Sequence, residues 1–142
     1  MLAPDVNVLV YAFREELPEH EACRAWLRSL VRSEAAFAVF DLVLSGFLRI
    51  VTHPRVFSPP APLEAALAFV DVIRTRPNCV TLQPGARHWS IFERLCRETR
   101  AKGNLVADAY LAALAIESGC EWVTTDRDYS RFPGLNVSSP LD

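Results

Sequence analysis

Several aspartates stand where an apolar run gives way to a new pattern. Asp5 follows "MLAP" and precedes Asn7 by two residues, Asp41 closes "AFAVF", and Asp126 closes "EWVTT". Asp108 is placed differently. It lies inside "GNLVADAYLAALAIESG", a segment apolar almost all round, with Leu105, Leu111, Ala112 and Ala115 as its neighbours on one helical face. A carboxylate on the core side of a buried helix costs several kcal/mol unless something pairs with it. No basic residue lies within a turn of Asp108. Its partner must come from elsewhere in the chain: an arginine, or a metal ion shared with other carboxylates.

Each remaining acid has an ordinary structural reading of its own. Asp5 can cap the helix that follows it, Asp126 can cap the turn after "WVTT", and Asp128 reads as a cap. Taken together these readings conflict. Three carboxylates brought to one rim repel, and at least one is pushed to keep its proton. A hard divalent cation removes the conflict, because Mg²⁺ or Mn²⁺ takes oxygen ligands and keeps waters for a substrate phosphate. Zinc is not expected: the three histidines and four cysteines are scattered without ligand spacing.

The elements that must carry these acids alternate. "MLAPD" reads as a strand, residues 7–16 as a helix ended by Pro18, and Cys23, Trp26, Leu27 and Leu30 as the stripe of a second helix. "AFAVFD" is a strand, "LVLSGFLRIV" a helix, "HPRVFSPPAP" a proline-rich loop and "LEAALAFVDVIRTR" an amphipathic helix. "CVTLQ" is a strand followed by the helix "ARHWSIFERLCRETRAK", which stops near Gly103; Asn104 then caps the apolar helix that holds Asp108, and Gly119 ends it. "EWVTTD", a strand, the short turn or helix "RDYSRF" and the strand "LNVSS" complete the chain. This order predicts an α/β fold of three layers, α/β/α, around a central, mostly parallel sheet. In such sheets functional groups gather beyond the carboxyl ends of the strands. Asp5 and Asp126 are expected there, and Asp41 is a third candidate. Pro4 argues against a central position for the first strand unless its pairing ends there.

At 142 residues the chain is read as one domain, residues 1–142, able to bury roughly 70% of its unfolded surface. No transmembrane segment or signal peptide is seen. The unpaired cysteine pattern predicts reduced thiols and a cytoplasmic protein. A net charge of −2 excludes a protein that coats nucleic acid by bulk attraction, though not an enzyme whose bound cations recruit phosphate locally. A dinucleotide-binding domain needs a glycine-rich first turn, which the five scattered glycines do not supply. A dehalogenase-like phosphatase wants a second Asp where Asn7 stands.

The strand leading into "DVN", the "DAYLAALA" helix and "WVTTDRDYSRFPG" together resemble a PIN domain, and more narrowly the VapC-type toxin of a VapBC toxin–antitoxin pair. The resemblance covers essentially the whole chain, and "GFLRIVTHPRVF" is similar to a branch of bacterial VapC-like proteins. It implies a Mg²⁺-dependent endoribonuclease, with Mn²⁺ as the alternative ion. It also implies a homodimer held inactive by a cognate VapB-like antitoxin. The family's metal-binding and catalytic acids map onto Asp5, Asp108 and Asp126. Asn7 matches the polar residue after the first acid, and Thr124 or Thr125 the hydroxyl before the last. One departure stands out: Gly46 in "GFLR" occupies the place of a family glutamate, leaving Asp41, Ser45 or Asp128 as candidates for a fourth acid. In the implied chemistry a metal-activated water attacks phosphorus in line, and Arg49 or Arg55 contacts phosphate. The rival expectation is a non-catalytic PIN-like module that binds RNA or protein.

Overall fold

The computed structural model covers residues 1–142. Strand β1 is Leu2–Pro4, followed by helices α1 (Val6–Phe13) and α2 (His20–Arg32). Strand β2 (Phe37–Phe40) leads to α3 (Asp41–Val51) and α4 (Leu63–Arg74), and β3 (Cys79–Leu82) to α5 (His88–Thr99) and α6 (Asn104–Ser118). Strand β4 (Glu121–Val123), a 3₁₀ helix (Arg127–Arg131) and β5 (Val137–Ser138) follow. The strands form one sheet in the order β3-β2-β1-β4-β5, with every pair parallel.

This order determines where a site can form. From β1 the chain steps outward through β2 to β3, then returns past both to place β4 on the other side of β1. Right-handed crossovers put the connections of an outward walk on one face and those of the return on the other. Packing agrees: α1 meets α2 and α3, α3 meets α4, and α5 pairs with α6. The rings of Phe13, Phe47 and Phe69 join α1, α3 and α4, with centroids 5.1–5.4 Å apart. The crevice beyond the ends of β1 and β4 is therefore the topological switch point of the sheet.

Pro4 does lie in the central strand. The Asp5 N–H donates to the Val123 carbonyl at 2.8 Å, and residues of a parallel strand bond alternately to the two neighbours, so the donor Pro4 lacks would face β2. Registered pairing of β1 with β2 is confined to Leu2 and Phe37, so no ladder bond is lost.

Several element ends depart from the sequence reading. Helix α1 stops at Phe13, short of Glu16, and Arg14 swings out so that its guanidinium lies 4.2 Å from the centre of the Phe57 ring. Helix α5 ends at Thr99, where Arg100 takes a left-handed conformation (φ 52°). Gly103 (φ 59°), not Asn104, is the cap of α6, and Asn104 is the first helical residue. No helix is long and apolar enough to cross a membrane.

Candidate metal-binding site

Asp5 leaves the end of β1 and caps α1. Its Oδ1 accepts the Val6 N–H at 2.7 Å, and its Oδ2 accepts the Thr124 hydroxyl, also at 2.7 Å. Thr124 directly follows β4 and is 2% exposed, while Asp5 is 4% exposed. The same hydroxyl oxygen receives the Asp126 N–H at 3.0 Å and the Asn7 amide at 3.4 Å. With donors arriving from those two sides, the Thr124 proton is directed to Asp5. Asn7 returns the connection by accepting the Thr125 N–H at 3.4 Å. The ends of β1 and β4 are thus stitched together by side chains as well as by the sheet. Of the two candidate hydroxyls, Thr124 is the one that reaches Asp5.

Asp126 caps the 3₁₀ helix by accepting the Asp128 N–H at 2.9 Å, which uses Oδ1 and leaves Oδ2 without a partner. The capping role expected of Asp128 therefore belongs to Asp126. Asp128 itself is exposed. Asp108, half-buried on α6, receives the Tyr129 hydroxyl on Oδ1 at 3.2 Å. Its partner within the chain is thus a neutral phenol, not an arginine. Tyr129 is 2% exposed and packs between Trp122 and Phe132. Nothing in the sequence singled it out, since an aromatic residue in a short turn reads as ordinary core.

Asp5, Asp108 and Asp126 line one cleft of about 430 Å³, together with Asn7, Gly46, Arg49 and Tyr129. None of the three acids is in an ion pair; the chain's salt bridges all lie elsewhere. Burial, reinforced by the charges of Asp108 and Asp126, pushes the Asp5 carboxyl up to about 6 against the hydrogen bonds from Thr124 and Val6. Burial likewise raises Asp108, with Tyr129 opposing and Asp126 and Asp128 adding to the rise. Tyr129 is raised by burial and by the carboxylates around it, so it stays a proton donor.

Every donor offered to the cleft by these acids is oxygen, and each acid keeps lone pairs unused. That set suits a hard cation. The side chains do not close into a ready-made cage of three or more ligands. An open arrangement suits Mg²⁺, which takes one or two carboxylates and keeps waters for substrate. Gly46 lines the cleft, and a Cβ there would meet Val6 Cγ2 at 3.2 Å, so a larger residue needs Val6 to yield slightly. None of the candidates for the missing acid lines this cleft. Asp41 and Ser45 face a separate groove between α3 and α4, where Asp41 accepts the Gln83 amide at 2.9 Å and pairs with Arg74 at 3.5 Å. Arg49 lies at the cleft with no acidic partner, while Arg55 is absent from its lining.

An acid-lined cleft at the switch point of a parallel α/β sheet is thus the candidate site of this fold. The PIN domain family model matches residues 2–135, and the chain belongs to that family. VapC ribonuclease Mb2897 of Mycobacterium bovis is 43% identical over 142 residues, covering 100% of this chain and 97% of the relative. Ribonuclease VapC25 of Mycobacterium tuberculosis is 39% identical over 140 residues, 99% of each chain. Among solved structures, VapBC2 from Rickettsia felis bound to a DNA fragment from their promoter superimposes with a TM-score of 0.72 at 20% identity, covering 97% of both chains. VapBC-1 from nontypeable Haemophilus influenzae gives 0.70 at 12% identity, covering 99% of this chain and 98% of that one. These two likenesses establish the three-layer fold.

Proposed function

We propose that this chain is the toxin of a type II toxin–antitoxin pair, a divalent-metal-dependent endoribonuclease that hydrolyses RNA phosphodiester bonds. The observation that carries the reading is the meeting of Asp5, Asp108 and Asp126 in one cleft with no basic residue paired to any of them. The curated relatives named as ribonucleases, similar over the full chain, support the substrate class.

Asp5, Asp108 and Asp126 would hold Mg²⁺, with Mn²⁺ as the alternative. When bound, the ion supplies a water of lowered pKa and positive charge against the phosphate oxygens. The chain's own residues orient the ligands. Val6 N–H and Thr124 fix both oxygens of Asp5, Tyr129 holds Asp108, and the Asp128 N–H holds Asp126. Arg49, unpaired at the mouth, is suited to a non-bridging phosphate oxygen. No serine, cysteine or histidine nucleophile is needed.

The partner in this reading is a VapB-like antitoxin, supported by the likeness to VapBC complexes. A homodimer is supported by the large apolar side chains exposed on α3 and α4, with Leu42 51% and Leu63 54% accessible. Light scattering at tens of micromolar should give a dimer; a monomer alone, with and without antitoxin, would count against it.

Gly46 in place of the family glutamate, and the open ligand set, favour one second reading: a PIN-like module that binds RNA or protein without cutting it. The deciding experiment uses protein freed of antitoxin against structured and single-stranded RNA panels. The nuclease reading expects cleavage with Mg²⁺ or Mn²⁺ that stops in EDTA. Cleavage that persists in EDTA or survives Asp5→Ala unchanged would falsify it, and RNA binding with no cleavage of any RNA favours the module.

A further inference from the structure

A second cavity adjoins the acid cleft and shares one residue with it. It measures about 400 Å³, within the range of small-ligand sites, and lies beyond the ends of β4 and β5. Asp126 lines both spaces. The chemistry changes across it, for this cavity is lined by Thr124, Thr125, Ser130, Ser138 and Ser139, with Arg127 at its side.

Several of these hydroxyls are uncommitted. Thr125 spends its backbone N–H on Asn7, and its hydroxyl makes no hydrogen bond within the chain. The Ser138 carbonyl serves the sheet through Thr124 N–H, and its hydroxyl is equally free. Ser139 Oγ accepts the Leu141 N–H at 3.1 Å and retains its own proton. Ser130 is spent as a donor, giving its proton to the Arg127 carbonyl at 2.7 Å. Arg127 is exposed and in no ion pair.

Charge decides which part of a ligand fits. Asp126 and Asp142 bring two carboxylates against the single guanidinium of Arg127, so a phosphate would be repelled. Neutral hydroxyls that can both donate and accept suit a group that does the same. The ribose 2′-OH is such a group, and it is what separates RNA from DNA at a given site. A guanidinium plane stacks on a base of any identity. We infer that this hydroxyl-lined cavity is a nucleoside subsite that takes the ribose and base next to the phosphate held in the acid cleft, with Thr125 and Ser138 reading the 2′-OH. The inference rests on the ribonuclease reading for its substrate but not for its test.

The test is binding by the full chain in EDTA, read by fluorescence anisotropy with a labelled single-stranded RNA and its all-2′-deoxy counterpart. The parent should bind RNA at least about threefold tighter than DNA. The double change Thr125→Val with Ser138→Ala should weaken RNA binding by roughly threefold to tenfold, the loss of one or two neutral hydrogen bonds, while leaving DNA within twofold. Thr125→Ser, which keeps a hydroxyl, should retain the preference, and matching melting temperatures check folding. Arg49→Ala, acting at the phosphate, should weaken both polymers alike. An RNA preference that survives the double change, or equal weakening of RNA and DNA by it, overturns the subsite and leaves the nuclease reading intact. A parent that cuts no RNA with Mg²⁺ or Mn²⁺ yet shows the Ser138-dependent preference in EDTA favours the non-cutting module and supports the subsite. A parent that binds neither polymer overturns the subsite.

Discussion

Two strand ends in this protein carry the same local pattern and meet different fates. "LAPDVN" and "AVFDLV" both run an apolar strand into an aspartate and then a helix. At the end of β1, Asp5 is 4% exposed, lies in a cleft with two other acids and has no basic partner. At the end of β2, Asp41 is exposed and tied to Arg74 and Gln83. Helix-start chemistry is common to both. Position in the sheet separates them: β1 borders the switch point, with β4 on its far side, whereas β2 lies between β1 and β3. A strand-end carboxylate meets other acids in a cleft where the crossovers diverge, and elsewhere it remains a surface residue.

The strongest way to break this contrast is to remove the acids. Asp5→Ala, Asp108→Ala and Asp126→Ala should each lower metal-dependent RNA cleavage by about a hundredfold or more. Asp5→Ala with Asp108→Ala should cost little beyond either alone, because residues acting as a unit are non-additive. Asp41→Ala should stay within about twofold. Initial rates at saturating Mg²⁺ measure all of these, and a large loss for Asp41→Ala would put the site at the wrong strand end.

The pH dependence of stability sharpens the same comparison. The native state raises the Asp5 carboxyl from 3.8 to about 6, so the folded chain holds that proton more tightly than the unfolded chain does. Its contribution is therefore fully present below 3.8 and is lost as pH rises through about 6, a change of roughly 3 kcal/mol in metal-free protein. Asp5→Asn should flatten that fall, and Asp41→Asn should not. Mg²⁺ should restore stability above pH 6 by mass action, about 2.7 kcal/mol at a hundred times its Kd. Asp108→Asn should raise metal-free stability and erase the response to the ion. Urea titrations from pH 4 to 8, with and without Mg²⁺, measure each effect, and indifference of the parent to divalent ions would remove the basis for the shared ligand set.

A smaller effect is expected at the residues that aim the acids. Thr124→Val keeps the volume but takes the donor from Asp5, and Tyr129→Phe does the same to Asp108. Each should weaken Mn²⁺ binding, read by calorimetry, by about tenfold to a hundredfold. Unchanged affinity would reduce both to packing residues. The smallest effect lies at the other strand end. Breaking the exposed Asp41–Arg74 pair with Arg74→Met should cost less than about 1 kcal/mol and leave metal binding alone.

Much of this protein was legible in the residues themselves. Periodicity located every helix and strand, because apolar stripes at helical spacing and short β-rich runs are local features that tertiary packing here reinforces. The alternation of elements pointed to the parallel layered sheet. The three acids were readable as candidates, one on an apolar helix face and two at strand ends, with Asp41 standing beside them. Helix ends were less legible: α5 stops at Thr99 with Arg100 in the left-handed turn, short of the stop expected near Gly103.

What tertiary structure alone decided is which groups meet. Sequence spacing cannot tell Asp5 from Asp41, since strand order is set by long-range pairing and the hand of the crossovers. It cannot give Asp108 its phenol partner or choose Thr124 over Thr125, because those contacts join residues 21 and 119 positions apart. Nor can it place Asp126 between an acid cleft and a hydroxyl-lined cavity. A strand presents alternate residues to opposite sides and a crossover reverses at one point of the sheet, so distant side chains converge only once the sheet is assembled.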